Sequence, residues 1–176
     1  MVQPMVNRSK RAMRFLTAML FVMLLAISTN VKAQGEGDIV LGGGLSYGEK
    51  ISELGLQFGG YYIFDEDIRF GGDFVYRLVD SPSEVSVNYF EINGNAHYLF
   101  YQEDELTFYG IGSLGIRRVS VSSDIGGASY SDTDLALGIG VGGEYSLDAV
   151  TLYAEPRLFL TGIDQFGFNI GVRFGI

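Results

Sequence analysis

His97 is the only histidine of the 176-residue chain, so histidine-based proton transfer or nucleophile activation would have to run through it. Such chemistry needs a hydroxyl, thiol or carboxylate held beside the ring. The alternation around His97 instead sets it on the polar side of a strand, a few residues from an acidic turn and within reach of Glu91 or Arg69. That predicts a satisfied histidine. Gly138-Ile139-Gly140-Val141-Gly142-Gly143 has the form of a dinucleotide fingerprint, but that motif works only where a helix N-terminus follows to receive pyrophosphate. Here Glu144 to Asp148 reads as strand end and turn, and small residues on one strand face explain the glycines better. Asp124, Asp132 and Asp134 are too loosely spaced for a calcium loop, and no other metal-ligand spacing is present. No cofactor is expected.

What remains is a set of isolated charges of both signs: Arg69, Asp73, Arg77, Glu91, Arg117, Glu144, Glu155, Arg157 and Arg173, with His97. Each falls on the polar face of an alternating segment. In a narrow interior such charges must pair. The reading assigns Arg77 and Arg69 to Asp73 and Glu91, and Arg157 and Arg173 to Glu155 and Glu144. Two uses are open, a path for ions or solutes and a structural plug, and the plug is favoured because eight strands enclose a space that side chains can fill.

The elements that carry these charges are strands. The clearest is the last, where Phe166, Phe168, Ile170, Val172, Phe174 and Ile176 alternate with glycine, Asn169 and Arg173. Period two gives it one apolar and one polar face. The pattern recurs over residues 39–48, 52–64, 69–78, 89–100, 106–119, 135–145 and 152–160, with acidic turns at Asp65-Glu66-Asp67 and Gln102 to Glu105. Residues 80–84 and 162–165 read as loops, and Ser120 to Asp134 as the longest connection. Pro156 lacks a ladder donor and predicts a bulge. In the fifth strand Phe108, Leu114 and Ile116 compete with Tyr109, Ile111 and Val119 for the apolar face, and the reading turns Phe108, Gly110, Gly112, Leu114 and Ile116 outward and Arg117 inward.

Ahead of the strands stand a basic stretch (Arg8, Lys10, Arg11, Arg14), an apolar run from Phe15 to Ile27 and the small-x-small site Val31-Lys32-Ala33. That is the form of a cleaved secretory signal, residues 1–33, and the run is short of the ~20 residues a spanning helix needs. The domain 34–176 then has 143 residues, with seven basic against 21 acidic side chains and a formal charge of −14. Nucleic acid is therefore not an expected partner. With no cysteine, stability rests on hydrogen bonding and burial.

The same alternation could close a soluble barrel with its apolar face inward. Against this, the polar face carries glycine, serine, asparagine and scattered charge, while the acidic excess gathers in turns. Aromatic residues Tyr62, Phe64, Phe70, Tyr98, Phe100, Phe108 and Tyr145 cluster near the proposed inner turns, as an interfacial girdle would. The predicted fold is all-β, an eight-stranded antiparallel up-and-down transmembrane β-barrel.

On this pattern, which covers Gln34 to Ile176, the chain resembles the small OmpA/OmpX-type outer-membrane β-barrels. The ending Phe166 to Ile176 is similar to the C-terminal strand signal read by the barrel assembly machinery, with Ile176 where the family usually has an aromatic residue. The resemblance implies an outer-membrane location with periplasmic termini, lipid and the assembly machinery as partners, and a role in envelope integrity, adhesion or surface defence. A monomer is expected, without the peptidoglycan-binding domain of larger members; the surface ligand is left open. A narrow conduit is the alternative function, and a lipid-modifying enzyme a more distant one, since His97 lies away from the surface leaflet.

Overall fold

The computed structural model describes residues 35–49, 53–79, 85–123, 129–161 and 166–176. The leader and the connections at 80–84 and 162–165 lie outside them, as does Asp124. Eight strands follow in chain order: β1 (Ile39–Gly48), β2 (Glu53–Ile63), β3 (Ile68–Arg77), β4 (Val85–Glu103), β5 (Leu106–Ser123), β6 (Ser129–Ser146), β7 (Thr151–Phe159) and β8 (Phe166–Gly175). Each pairs antiparallel with its neighbour, and β8 pairs with β1, so the sheet is a closed barrel. Closure leaves no edge through the wall, the condition for backbone polar groups to survive in hydrocarbon.

Side-chain facing follows the alternation. Leu54, Phe58, Phe74, Ile92, Leu114, Leu137, Leu158 and Ile170 are each 40–56 % exposed on the outside. Arg69, Asp73, Glu91, His97, Arg117, Glu155, Arg157 and Arg173 are at most 4 % exposed inside. The register row Leu41, Gly60, Gly72, Gly94, Leu114 and Leu137 runs uncharged around six strands. This is the inverse of a water-soluble domain. In β5, Phe108, Leu114 and Ile116 face out while Tyr109, Ile111 and Arg117 are buried.

Three details differ from the sequence expectation. The segment Ser120 to Asp134 is mostly strand, because β5 continues to Ser123 and β6 starts at Ser129. Its serine and aspartate content reads as loop, yet Ser120↔Ser131 and Val121↔Tyr130 stay in register once the long β5–β6 ladder below them is formed. β4 likewise begins at Val85. Pro156 makes no bulge: Gly140↔Arg157 and Gly143↔Ala154 keep one register, and the ladder lapses only between them, where the proline has no N–H to give. The bulge lies in β4, where the register shifts between Leu99 and Tyr101.

As a result β4, β5 and β6 have 18 or 19 residues while the others have 9 to 11. About 9–11 tilted residues cross a bilayer, so the surplus projects past one end as a three-stranded blade. Above Leu135 no described strand pairs with the outer side of β6, and above Tyr89 none pairs with the outer side of β4. At the opposite end the turns are short. In β4–β5, Asp104 takes a left-handed φ of 50°, and in β2–β3 the Asp65 carboxylate accepts from the N–H groups of Asp67 and Ile68.

Candidate functional site

The chemistry-bearing side chains converge in the lumen, where strands distant in sequence face one another. Near the short-turn end, Arg69 of β3 donates to both oxygens of Glu144 of β6 at 3.0 and 2.8 Å. Arg173 of β8 bridges Glu144 and Glu155, reaching the latter at 2.5 Å. Arg157 of β7 donates to Glu155 at 2.6 Å and to Asp73 at 3.1 Å. Asp73 also accepts from the amides of Asn93 and Asn95 at 2.8 and 2.7 Å. Three arginines thus meet three carboxylates, and the hydrogen bonds compensate for taking both signs out of water.

Aromatic side chains are built into the same cluster. His97 lies between the rings of Tyr61 and Tyr109, each 4.7 Å away. The Arg173 guanidinium sits 4.1 Å over Tyr153, and that of Arg69 sits 4.5 Å over Tyr109. Tyr109 donates to Glu155 at 2.8 Å and accepts from Arg173 at 2.7 Å, while Tyr153 donates to Gln57 at 2.9 Å. The Arg69 Nε–H donates to Nδ1 of His97 at 3.0 Å, so Nδ1 is the lone-pair nitrogen and Nε2 carries the proton. A general base needs a free lone pair facing a substrate, and here that lone pair is taken by a guanidinium.

Toward the blade the cluster changes. Arg77 binds Glu91 with Nε at 2.8 Å and Nη2 at 2.7 Å. Arg117 comes to the same carboxylate only through Nε at 3.4 Å, and its guanidinium lies 3.9 Å over Phe159. None of its three nitrogens makes a hydrogen bond. Among the described buried residues, five arginines face four carboxylates, and the surplus charge is at this end. A cavity of about 10 Å³, the size of one water, lies between Ser46, Arg77, Glu91, Asn93, Arg157 and Asn169.

Of the expected pairings, Arg77 and Arg69 with Asp73 and Glu91 and Arg157 and Arg173 with Glu155 and Glu144, the structure has Arg77 on Glu91, Arg157 on Glu155 and Arg173 on both Glu144 and Glu155. Arg69 binds Glu144, not Asp73 or Glu91, and Asp73 goes to Arg157. Strand tilt and stagger bring β3 opposite β6 across the lumen, a relation no local pattern encodes. Tyr61, Tyr109, Tyr153, Phe159 and the two asparagines were not singled out by chemistry, although their phase put most of them on the polar face. The glycines of β6 now have a reason. A Cβ on Gly142 would fall 2.2 Å from the Tyr109 ring, and one on Gly138 would fall 3.0 Å from Phe159. No cluster of three or more metal-ligating side chains occurs among the described residues.

Solved structures share this architecture. Ail, the attachment invasion locus protein of Yersinia pestis, superposes with a TM-score of 0.58 at 18 % identity, over 82 % of this chain and 100 % of that one. Neisserial surface protein A gives 0.57 at 19 % identity, over 82 % and 99 %. The outer membrane protein OprG from Pseudomonas aeruginosa gives 0.55 at 12 % identity, over 83 % and 99 %. The chain has the fold of the small eight-stranded outer-membrane barrels. No family model matches it, and no characterised protein matches it by sequence. At these identities the likeness is one of backbone path.

β8 completes the barrel with both sides in use. It pairs with β7 from Phe166 to Arg173 and with β1 from Gly167 to Gly175. The outward residues Phe166, Phe168, Ile170, Val172, Phe174 and Ile176 form one continuous stripe along the seam, where Ile176 N–H bonds to the Ile39 carbonyl at 2.8 Å.

Proposed function

We propose that the chain is a monomeric, non-enzymatic integral outer-membrane β-barrel with periplasmic termini, whose work is structural support and surface contact. One observation carries this reading: the lumen is crossed from wall to wall by hydrogen-bonded arginine, carboxylate and tyrosine side chains. A barrel so filled supports a rigid wall and offers solutes no continuous water path. Contact with partners then falls to the blade of β4, β5 and β6, whose tip carries Tyr130 at 66 % exposure among serines, Asp132 and Thr133. The taken lone pair of His97 supports the non-enzymatic reading. In the folded state both edges of β8 are paired, so the stripe from Phe166 to Ile176 would serve the assembly machinery before closure.

Two measurements test this. Purified protein in planar lipid bilayers should give no steady ohmic conductance; reproducible discrete channels would replace the structural role with the conduit. Cysteine introduced as Tyr130→Cys should be labelled on intact cells by a membrane-impermeant maleimide, while Asp148→Cys at the short-turn end should not. The opposite labelling would reverse the orientation.

A further inference from the structure

On β4, β5 and β6 the outward face changes character within one register step. The row Ile92, Ile116 and Leu135 is apolar, and the next, Phe90, Arg118 and Thr133, introduces a guanidinium. Beyond it the outward residues are polar: Ser86 and Asn88, Ser120 and Ser122, Ser129 and Ser131. The hydrocarbon boundary on the blade side therefore passes through Arg118. It is the one lysine or arginine among the described residues that faces outward, the others lining the lumen.

Arg118 is exposed and makes no hydrogen bond or ion pair with a described residue, unlike Arg69, Arg77, Arg157 and Arg173. Asn88 stands diagonal to it across the ladder. The Asn88 Oδ1 accepts from the Tyr76 hydroxyl at 3.3 Å, which orients the amide and leaves its N–H groups to donate outward. Ser120 and Thr133 add hydroxyls on the same face. The nearest carboxylates on β6, Asp132 and Asp134, belong to the opposite face of that strand.

We propose that Arg118, with Asn88, Ser120 and Thr133, binds the phosphate of a lipid headgroup in the leaflet on the blade side. A phosphate has enough oxygens for a bidentate guanidinium and the neighbouring donors at once, where a carboxylate has two. The apolar row beneath, Ile92, Ile116 and Leu135, receives the attached acyl chain, which ties the site to a lipid and not to free phosphate. This inference rests on the membrane reading above.

The test is native mass spectrometry of the protein released from detergent micelles, titrated with phosphatidic acid, with diacylglycerol of the same chains, and with inorganic phosphate. Arg118→Gln should weaken phosphatidic acid binding about fivefold, the factor one near-surface basic residue contributes. Arg118→Lys, which keeps the charge but loses the bidentate fork, should fall between wild type and Arg118→Gln, and diacylglycerol binding should not change. Equal phosphatidic acid binding by wild type and Arg118→Gln overturns the proposal. So does displacement of the lipid by inorganic phosphate at equal concentration, which would make the site one for free phosphate. Band shift on heating, measured alongside, separates the two levels: an unshifted wild-type band counts against the membrane barrel itself, while a shifted band with no variant effect counts only against this site.

Discussion

The Arg117 guanidinium lies over the Phe159 ring at 3.9 Å, and none of its nitrogens makes a hydrogen bond with a described residue. The carboxylate it approaches, Glu91, is already held by Arg77. Cation–π attraction in a desolvated setting is worth roughly 2 kcal/mol, less than the several kcal/mol it costs to take a charge out of water, and the one ion pair of Arg117, to Glu91 at 3.4 Å, is long. Arg117 is thus held more weakly than the other four lumen arginines, each of which makes a hydrogen-bonded ion pair.

Replacing Arg117 with methionine should therefore leave stability within about 1 kcal/mol of wild type or raise it. Arg173→Met, which strips partners from both Glu144 and Glu155, should cost about 3–5 kcal/mol. Urea-dependent folding into lipid vesicles measures both. Equal losses in the two variants would mean that Arg117 has a partner of the same strength.

Glycines on the two faces should respond in opposite ways. Gly142→Ala drives a methyl to 2.2 Å from the Tyr109 ring and should destabilise by about 1–3 kcal/mol as the cluster is overpacked. Gly112→Ala meets nothing within 4 Å and should be neutral or stabilising by up to about 1 kcal/mol, because the unfolded chain loses freedom. The same folding titration compares them.

Leu114 is 56 % exposed at the middle of the outward row. Leu114→Arg should cost about 2–4 kcal/mol in vesicles. In a water-soluble barrel this exchange of an exposed leucine for a charge would be harmless, so an unchanged folding midpoint would count against the apolar band as a lipid surface.

Asp104 at φ 50° holds the β4–β5 turn in a region that side chains with a branched Cβ avoid. Asp104→Gly should match or exceed wild-type stability, and Asp104→Val should lose roughly 1–2 kcal/mol. Circular dichroism during folding detects whether the loss stays local, with the barrel spectrum retained.

Heat-dependent electrophoretic mobility gives a complementary check on the architecture. The unboiled protein should migrate apart from the boiled form, and a single unshifted band would speak against a closed barrel.

Strand number, facing and the closed all-β architecture were legible because period two is written residue by residue. Arg157 cannot move to the other face without turning its neighbours over as well. The same rule set Arg117 inward in a strand whose aromatic residues compete. Strand ends were less legible. Ser120 to Ser123 and Ser129 to Asp134 have loop composition, and they become strand only because a formed ladder beneath them continues upward.

By itself, then, the sequence determined which side of every strand but the fifth is apolar, because that depends only on alternation along one segment, and in β5 two apolar sets compete. Only the tertiary structure decided which charges meet. Arg69 reaches Glu144 75 residues away, and Arg117 is left with a ring, through strand stagger around a closed cylinder. That stagger is a property of the whole circumference, which no single strand carries.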